Sequence, residues 1–232
     1  MATEPAAQNV TFPSAGATAY GYLALPPAGH GPGVVVIQEW WGLTGHIKDI
    51  ADRLARAGFV ALAPDLYGKR VAHDAGEAGR LISELPTPKA VELLSGAVGH
   101  LLSREETRGD TVGAVGFCMG GGFVLSLAAA DRRVAAAVPF YGLNREGFPD
   151  FSNLKAQIQG HYGELDESAS PSAVEELRAA IEYQSDIVPV FHLYPAGHAF
   201  FNDTRPGYDA ASSAKAWERT IGFLRENLPA GN

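Results

Sequence analysis

One segment, Gly116–Gly122 (GFCMGGG), constrains the fold of this chain more than any other, because it joins two apolar stretches through a run of glycines. Thr111–Phe117 has the apolar character of a buried strand, and Gly120–Ala130 has that of a buried helix. In a sharp strand-to-helix turn, the positions two before and two after the tip must be tiny to avoid collisions. The segment therefore predicts a strand–turn–helix unit with Cys118 at its tip.

The rest of the chain alternates short apolar runs with amphipathic stretches, which predicts strands separated by helices. The predicted strands are Thr18–Leu25, Val34–Gln38, Phe59–Pro64, Thr111–Phe117, Val134–Tyr141, Ala156–Tyr162 and Val188–Tyr194. The predicted helices are His46–Ala57, Gly76–Leu85, Lys89–Leu102, Gly120–Ala130, Pro171–Tyr183 and Ser212–Asn227. This alternation favours an α/β fold with a mainly parallel sheet and helices on both faces. Residues 1–232 are expected to form a single domain, since no repeat or long linker interrupts them.

Two interpretations of Cys118 are open at this point. A free cysteine often behaves as a small buried hydrophobic residue, and glycine-rich turns also occur in nucleotide-binding folds. However, the glycine spacing fits G-x-G-x-x-G poorly, and no P-loop lysine follows. At the tip of the turn, Cys118 would face the N-terminus of the next helix, which favours a thiolate. The backbone N–H of Met119 would be available to an oxyanion. The pattern therefore favours Cys118 as a nucleophile.

A nucleophile of this kind needs a histidine, and the histidine needs a carboxylate that orients it. Among the seven histidines, His198 follows a predicted strand within a Gly-His-Ala-Phe-Phe segment. Asp166 likewise follows a predicted strand, with Glu164 and Glu167 as neighbouring alternatives. Parallel strands carry their site at the carboxyl edge of the sheet. The chain order Cys118, Asp166, His198 therefore predicts a catalytic triad.

Composition excludes several other classes of function. The net charge of −8 argues against a nucleic-acid partner, which needs a basic face. A single cysteine can form no internal disulfide and is too little for a common structural zinc site. The first ten residues lack the features of a signal peptide, and no apolar run has the length of a membrane span. We expect a cytoplasmic protein without metal or organic cofactor.

A third segment, Gln38–Gly42 (QEWWG), follows the strand VVVI. A loop in this position commonly supplies the second N–H of an oxyanion hole. The adjacent side chains Trp40 and Trp41 could instead form a hydrophobic lid without chemistry. We expect at least one of them to line a substrate pocket, with Glu39 near the nucleophile.

Together, QEWWG, PDLYG at Pro64–Gly68, GFCMGG, GELD and GHAF resemble the dienelactone hydrolase family over about Tyr20–Leu228. The resemblance implies an α/β-hydrolase fold with little or no cap domain. It also implies a triad of Cys118, His198 and Asp166, and an oxyanion hole formed by the backbone of Trp40 and Met119. By the same resemblance, Glu39 interacts with the nucleophilic cysteine and takes part in its activation when substrate binds.

The chain departs from the family at the residues that select the substrate. Members specific for dienelactone bind the substrate carboxylate with two arginines, one of which stands four positions after the catalytic histidine. Asn202 occupies that position here, and Arg80 and Arg205 lie out of register. Asn202, Trp41 and Phe200 are expected to line the pocket. The resemblance thus implies a small-molecule ester or lactone substrate more firmly than a dienelactone.

The predicted reaction is hydrolysis of an activated ester or lactone through a thioester acyl-enzyme. Two alternatives use the same scaffold: a non-catalytic or redox-sensing protein in which Cys118 is an oxidisable thiol, and an acyltransferase. No membrane partner is expected. A monomer and a dimer are both compatible with the sequence.

Overall fold

The computed structural model describes residues 8–228, and it contains eight strands and six helices within them. Residues 1–7, which the expectation about a signal peptide concerns, and the last four residues of the predicted domain lie outside the described residues. The strands are β1 Val10–Ser14, β2 Ala17–Ala24, β3 Gly31–Ile37, β4 Val60–Pro64, β5 Thr107–Phe117, β6 Val134–Phe140, β7 Gln157–Gly163 and β8 Val190–Tyr194. The helices are α1 Gly45–Arg56, α2 Ala75–Ser83, α3 Thr87–Leu102, α4 Met119–Ala130, α5 Pro171–Gln184 and α6 Ala210–Asn227.

All eight strands form one sheet in the order β1-β2-β4-β3-β5-β6-β7-β8. The strands from β4 to β8 in this order pair in parallel, whereas β1 and β2 form an antiparallel extension at one side. The prediction of a mainly parallel sheet is therefore confirmed. Parallel pairing brings the carboxyl ends of β3, β5, β6, β7 and β8 to one edge of the sheet, where an open α/β sheet places its site.

Helices cover both faces of the sheet, as predicted. Helices α1 and α6 pack on one face, where Val34 and Val36 of β3 point. Helices α2, α3, α4 and α5 pack on the other face, where Val35 and Ile37 point. This alternation follows from the period of two along a strand, and the central strands are apolar throughout because both of their faces are covered.

Several element bounds differ by a few residues from the sequence prediction, and two of the differences have a clear physical reason. The strand Val10–Ser14 was not predicted, and α3 begins at Thr87 rather than at Lys89. Pro88 lies in the first turn of α3, where a proline removes no intrahelical hydrogen bond. Within residues 8–228, no helix combines the length and the apolar character that a membrane crossing requires.

Candidate active site

Cys118 lies at the tip of the turn between β5 and α4, with φ +53° and ψ −118°. This left-handed conformation is strained for a residue with a side chain. Close packing around the turn holds Cys118 in this conformation, and it leaves no room for side chains on the neighbouring glycines. A Cβ at Gly116 would collide with the carbonyl oxygen of Gly120. A Cβ at Gly142, on the loop after β6, would likewise collide with the carbonyl oxygen of Cys118. The glycines thus permit the backbone approach that exposes Sγ of Cys118 at the sheet edge.

His198 and Asp166 lie next to Cys118, each in the loop after a parallel strand. Nε2 of His198 is 3.2 Å from Sγ of Cys118, and Nδ1 of His198 is 2.7 Å from Oδ2 of Asp166. The other carboxylate oxygen, Oδ1 of Asp166, accepts hydrogen bonds from the backbone N–H groups of Ser168 and Ala169. The side chain of Asp166 is fully buried, whereas 33% of the His198 side chain is exposed. The three predicted triad residues therefore form one chain of hydrogen bonds.

The electrostatics of this chain favour a charged imidazole. Burial lowers the pKa of His198, but its hydrogen bonds to Asp166 and Cys118 and the charges on both outweigh burial and raise the pKa to about 10. Burial raises the pKa of Asp166, but hydrogen bonds from His198 and from the backbone of Ala169 hold it below its usual value. His198 therefore keeps its proton, and Asp166 its negative charge, across the neutral range.

Glu39 is buried beside this group, with only 3% of the residue exposed. Its Oε2 accepts a 2.7 Å hydrogen bond from Nδ2 of Asn202, and its Oε1 is 3.4 Å from the hydroxyl of Tyr141. Burial, together with the charges on Glu39 and Cys118, holds the pKa of Tyr141 well above its ordinary value. The hydroxyl of Tyr141 therefore remains a donor, and the edge of its ring contacts His198.

Trp40 and Met119 line the same cavity as Cys118 and bring two backbone N–H groups near it. Trp40 begins the turn that follows β3, and Met119 is the first residue of α4. In the described part of the chain, neither N–H donates a hydrogen bond in a turn, loop or cap. The first N–H groups of a helix have no intrahelical acceptor. Both N–H groups are thus available to a negatively charged oxygen. The side chain of Met119 is held at its sulfur by the hydroxyl of Tyr67 at 3.2 Å.

A cavity of about 580 Å³ opens above Cys118 and His198. Trp40 and Trp41 form part of its wall, and the guanidinium of Arg205 lies 4.0 Å from the centre of a Trp41 ring. The remaining lining residues are Glu39, Ile82, Met119, Tyr141, Gly142, Leu143, Arg145, Ser168, Ala199 and Gly207. This volume is within the usual range for a small-molecule site.

Two residues expected in the pocket lie behind its wall. Phe200 is fully buried and packs against Tyr141 and Tyr194 in the core. Asn202 is also buried, and its amide faces Glu39. Both follow His198 in a tight loop, and the loop turns their side chains towards the sheet. The expectation that they line the pocket is therefore corrected: Phe200 supports Tyr141, and Asn202 contacts Glu39.

Sequence reasoning missed Tyr141 and Arg145, and it treated Arg205 as out of register. Tyr141 directly follows β6 and has φ +37°, so the rule that parallel strands carry sites at their carboxyl ends could have identified it. Arg145 and Arg205 lie on loops, and no periodic pattern predicts where loop side chains point. Among residues 8–228, neither guanidinium has an ion-pair partner within 4 Å.

The arrangement places together a thiol, an imidazole, a carboxylate that contacts the imidazole, and two backbone N–H groups, which are the kinds of group that acyl transfer uses. Within the described residues, no group of three or more His, Cys, Asp or Glu side chains is arranged to hold a metal ion.

A family profile and individual relatives both match this sequence over nearly its whole length. A profile of the dienelactone hydrolase family matches residues 19–228. The protein usf of Aquifex pyrophilus is 36% identical over 231 residues, which cover 95% of this chain and 99% of the relative. A protein of Aquifex aeolicus that carries the provisional name carboxymethylenebutenolidase is 33% identical over 229 residues, with the same coverage.

Solved structures resemble the fold over nearly its full length. A crystal structure from Klebsiella pneumoniae, provisionally named a dienelactone hydrolase, has a TM-score of 0.86 and 30% identity, covering 95% of this chain and 98% of its own. A dienelactone hydrolase-like promiscuous phosphotriesterase from metagenomic libraries has a TM-score of 0.83 and 26% identity, covering 98% of this chain and all of its own.

Proposed function

Because this chain belongs to the dienelactone hydrolase family, a family of hydrolases, we propose that it cleaves activated esters or lactones with Cys118 as nucleophile. In this proposal His198 transfers protons, and Asp166 orients and charges His198. The observation that carries the proposal is the hydrogen-bond chain from Sγ of Cys118 through His198 to Asp166, at 3.2 and 2.7 Å. Nucleophile, base and orienting carboxylate within hydrogen-bond distance are typical of covalent catalysis.

Acylation begins when the thiolate of Cys118 attacks the carbonyl carbon and the carbonyl oxygen becomes an oxyanion. The backbone N–H groups of Trp40 and Met119 stabilise this oxyanion, and removing one such donor in a comparable site costs about 3 kcal/mol. The intermediate then expels the alkoxide or enolate, which takes the Nε2 proton of His198. The products of this step are a thioester on Cys118 and a neutral imidazole.

Deacylation uses the neutral imidazole as a base. His198 takes a proton from water, and the resulting hydroxide attacks the thioester carbonyl in the same oxyanion hole. Collapse of this second intermediate expels the thiolate of Cys118 and releases the carboxylic acid, which then loses its proton to bulk water. The imidazolium and the thiolate are then restored, so protons and charge balance over the cycle.

The identity of the nucleophile limits the substrates. A thiolate leaves more easily than an alkoxide, so the first tetrahedral intermediate returns to substrate unless the leaving group is stabilised. Enol lactones and aryl esters release stabilised anions, whereas alkyl esters do not. We therefore expect activated esters to be hydrolysed much faster than alkyl esters of similar size.

The direct test is hydrolysis of 4-nitrophenyl acetate by the wild-type protein and by Cys118→Ala and His198→Ala variants. We expect each substitution to lower kcat/KM by at least about 10³-fold. Mass spectrometry of rapidly quenched reactions should detect one acetyl group on the peptide that contains Cys118. Absence of turnover by the wild-type protein, or equal turnover by all three proteins, contradicts the proposal.

The same assay separates the two alternative functions. An acyltransferase would pass the acetyl group to an added alcohol or amine in preference to water, which product analysis detects. A redox-sensing protein would form a sulfenic acid at Cys118 with peroxide without hydrolysing esters. Hydrolysis that depends on Cys118 and is insensitive to added alcohol or amine supports the hydrolase.

A further inference from the structure

Hydrogen bonds to the oxygen and from the nitrogen of its side-chain amide fix the orientation of Asn202. Its Oδ1 accepts hydrogen bonds from the backbone N–H of Thr204 at 3.0 Å and from the hydroxyl of Thr204 at 2.6 Å. A backbone N–H can only donate, so the oxygen of the amide must face Thr204. The amide nitrogen must then face Glu39, to which it donates at 2.7 Å. The orientation of this buried amide is therefore fixed by the loop that carries it.

Glu39 depends on this donor, because a buried carboxylate without hydrogen bonds is costly. Its second partner, the hydroxyl of Tyr141, is 3.4 Å away, which is long for a hydrogen bond between oxygens. The short contact with Asn202 is thus the main restraint on the orientation of the carboxylate. The titratable or charged side chains that face Glu39 and Cys118 are Tyr67, Tyr141, His198 with Asp166, and Arg145 and Arg205 along the cavity wall.

The orientation of Glu39 matters to Cys118 because both groups line one cavity. A carboxylate that turned towards Sγ would oppose the thiolate by its like charge and would favour a neutral thiol. We propose that Asn202 is a positioning residue that holds the Glu39 carboxylate away from this position, so that Cys118 already contacts His198 before substrate binds. Asn202 contacts Glu39 directly, and Cys118 contacts His198 directly.

This inference rests on the proposed function, since it assigns a role in preparing the same nucleophile. It is tested without turnover, by the rate at which iodoacetamide alkylates Cys118 across a range of pH. Alkylation requires the thiolate and no ester substrate. A wild-type protein that hydrolyses no ester would contradict the proposed function and leave the alkylation test of Asn202 intact.

The first variant is Asn202→Asp, which keeps the acceptor for Thr204 and sets a second carboxylate against Glu39. Two adjacent carboxylates share one proton and lose it as pH rises. We expect the alkylation profile of Asn202→Asp to acquire an additional pH step that the wild-type profile lacks. In Asn202→Asp combined with Glu39→Gln, the amide of the new glutamine can donate to the new aspartate, and the step should disappear. A step that persists in the double variant, or a single variant that follows the wild-type profile, overturns the proposal.

The second variant is Asn202→Leu, measured in the wild-type and Glu39→Gln backgrounds. If Asn202 acts through Glu39, we expect about a tenfold loss in alkylation rate at pH 6–7 in the wild-type background and less than about a twofold loss with Glu39→Gln. Equal losses in the two backgrounds would indicate a structural role and would overturn the proposal. Asn153→Leu is the matched control, because it makes the same substitution at an exposed asparagine that contacts Arg132 and does not line the cavity. Its profile should match that of the wild-type protein.

Discussion

Asp166 contacts both the loop that carries it and the imidazole of His198. Its Oδ1 binds the backbone of Ser168 and Ala169 and so shapes the loop after β7, while its Oδ2 binds Nδ1 of His198. The two oxygens have separate partners. A substitution that preserves one oxygen can therefore separate the loss of chemistry from the loss of structure.

Asp166→Asn is the substitution that makes this separation. The amide oxygen can still accept from Ser168 and Ala169, but the amide nitrogen would face Nδ1 of His198 as a donor and favour the wrong tautomer. We expect kcat/KM for 4-nitrophenyl acetate to fall by about 10³- to 10⁴-fold, as for comparable triads, with the melting temperature nearly unchanged. Steady-state kinetics and thermal unfolding measure the two effects.

The control lies in the neighbouring carboxylates, Glu164 and Glu167, which the sequence left open as alternatives. Both are exposed. Glu164→Gln and Glu167→Gln should retain activity within about twofold, since exposed charges contribute little. Loss of activity in either one, with Asp166→Asn active, would mean that the orienting carboxylate is another residue.

At the level of the elements, the turn between β5 and α4 depends on backbone contacts between neighbouring segments. A Cβ at Gly120 would collide with the carbonyl oxygens of Ile37 and Gln38, at the end of β3. These are backbone atoms of a buried central strand, so they cannot move aside as the end of a flexible side chain could. We expect Gly120→Ala to lower the free energy of unfolding by about 2–3 kcal/mol.

Gly79→Ala provides the matched control for this prediction. Gly79 lies within α2, and a Cβ there has no neighbouring atom within 4 Å. Alanine in a helix interior is more favourable than glycine by about 0.5–1 kcal/mol. Chemical denaturation should therefore show Gly79→Ala as slightly stabilised and Gly120→Ala as strongly destabilised. Similar changes in the two variants would show that the turn tolerates a side chain.

Elements with a strong apolar pattern could be predicted from the sequence, and the weakly patterned strand could not. Buried parallel strands such as β3 and β4 are continuously apolar because helices cover both of their faces. Strand β1 is short, contains Pro13 and lies at the edge of the sheet. Its pairing with β2 through the Ala15–Gly16 turn supplies the order that its composition does not indicate.

The candidate site divides in the same way. Cys118, Asp166 and His198 could be predicted because each follows a strand, and strand ends converge at one edge of the sheet. The direction of a loop side chain depends on contacts distant in sequence, such as the 163-residue separation between Asn202 and Glu39. Such contacts leave no periodic signal, which is why Asn202 and Phe200 were expected to line the cavity.

At the scale of the whole molecule, two positive side chains stand in the cavity wall of a protein whose net charge is negative. The chain has a net charge of −8, yet Arg145 and Arg205 line the cavity and lack ion-pair partners among the described residues. Positive side chains in the wall of a cavity raise the local concentration of anionic ligands there. Arg205, which the sequence placed out of register, and Arg145, which it did not consider, are therefore the residues to test for substrate selection.

Arg145 and Arg205 together predict a preference for substrates with a free carboxylate. We expect the wild-type protein to favour mono(4-nitrophenyl) succinate over 4-nitrophenyl butyrate, which has similar length and no charge. Arg145→Gln combined with Arg205→Gln should lower kcat/KM about tenfold for the succinate and less than about twofold for the butyrate. The reason is that the double variant loses two attractions, both partly screened by solvent, to the succinate carboxylate. High salt should weaken the wild-type preference, because it screens exposed charges.

Arg132→Gln is the control: Arg132 is exposed and binds Asn153 outside the cavity, so its loss should leave the preference unchanged. Equal effects of the double substitution on both esters would mean that the two arginines support the cavity wall without selecting the substrate.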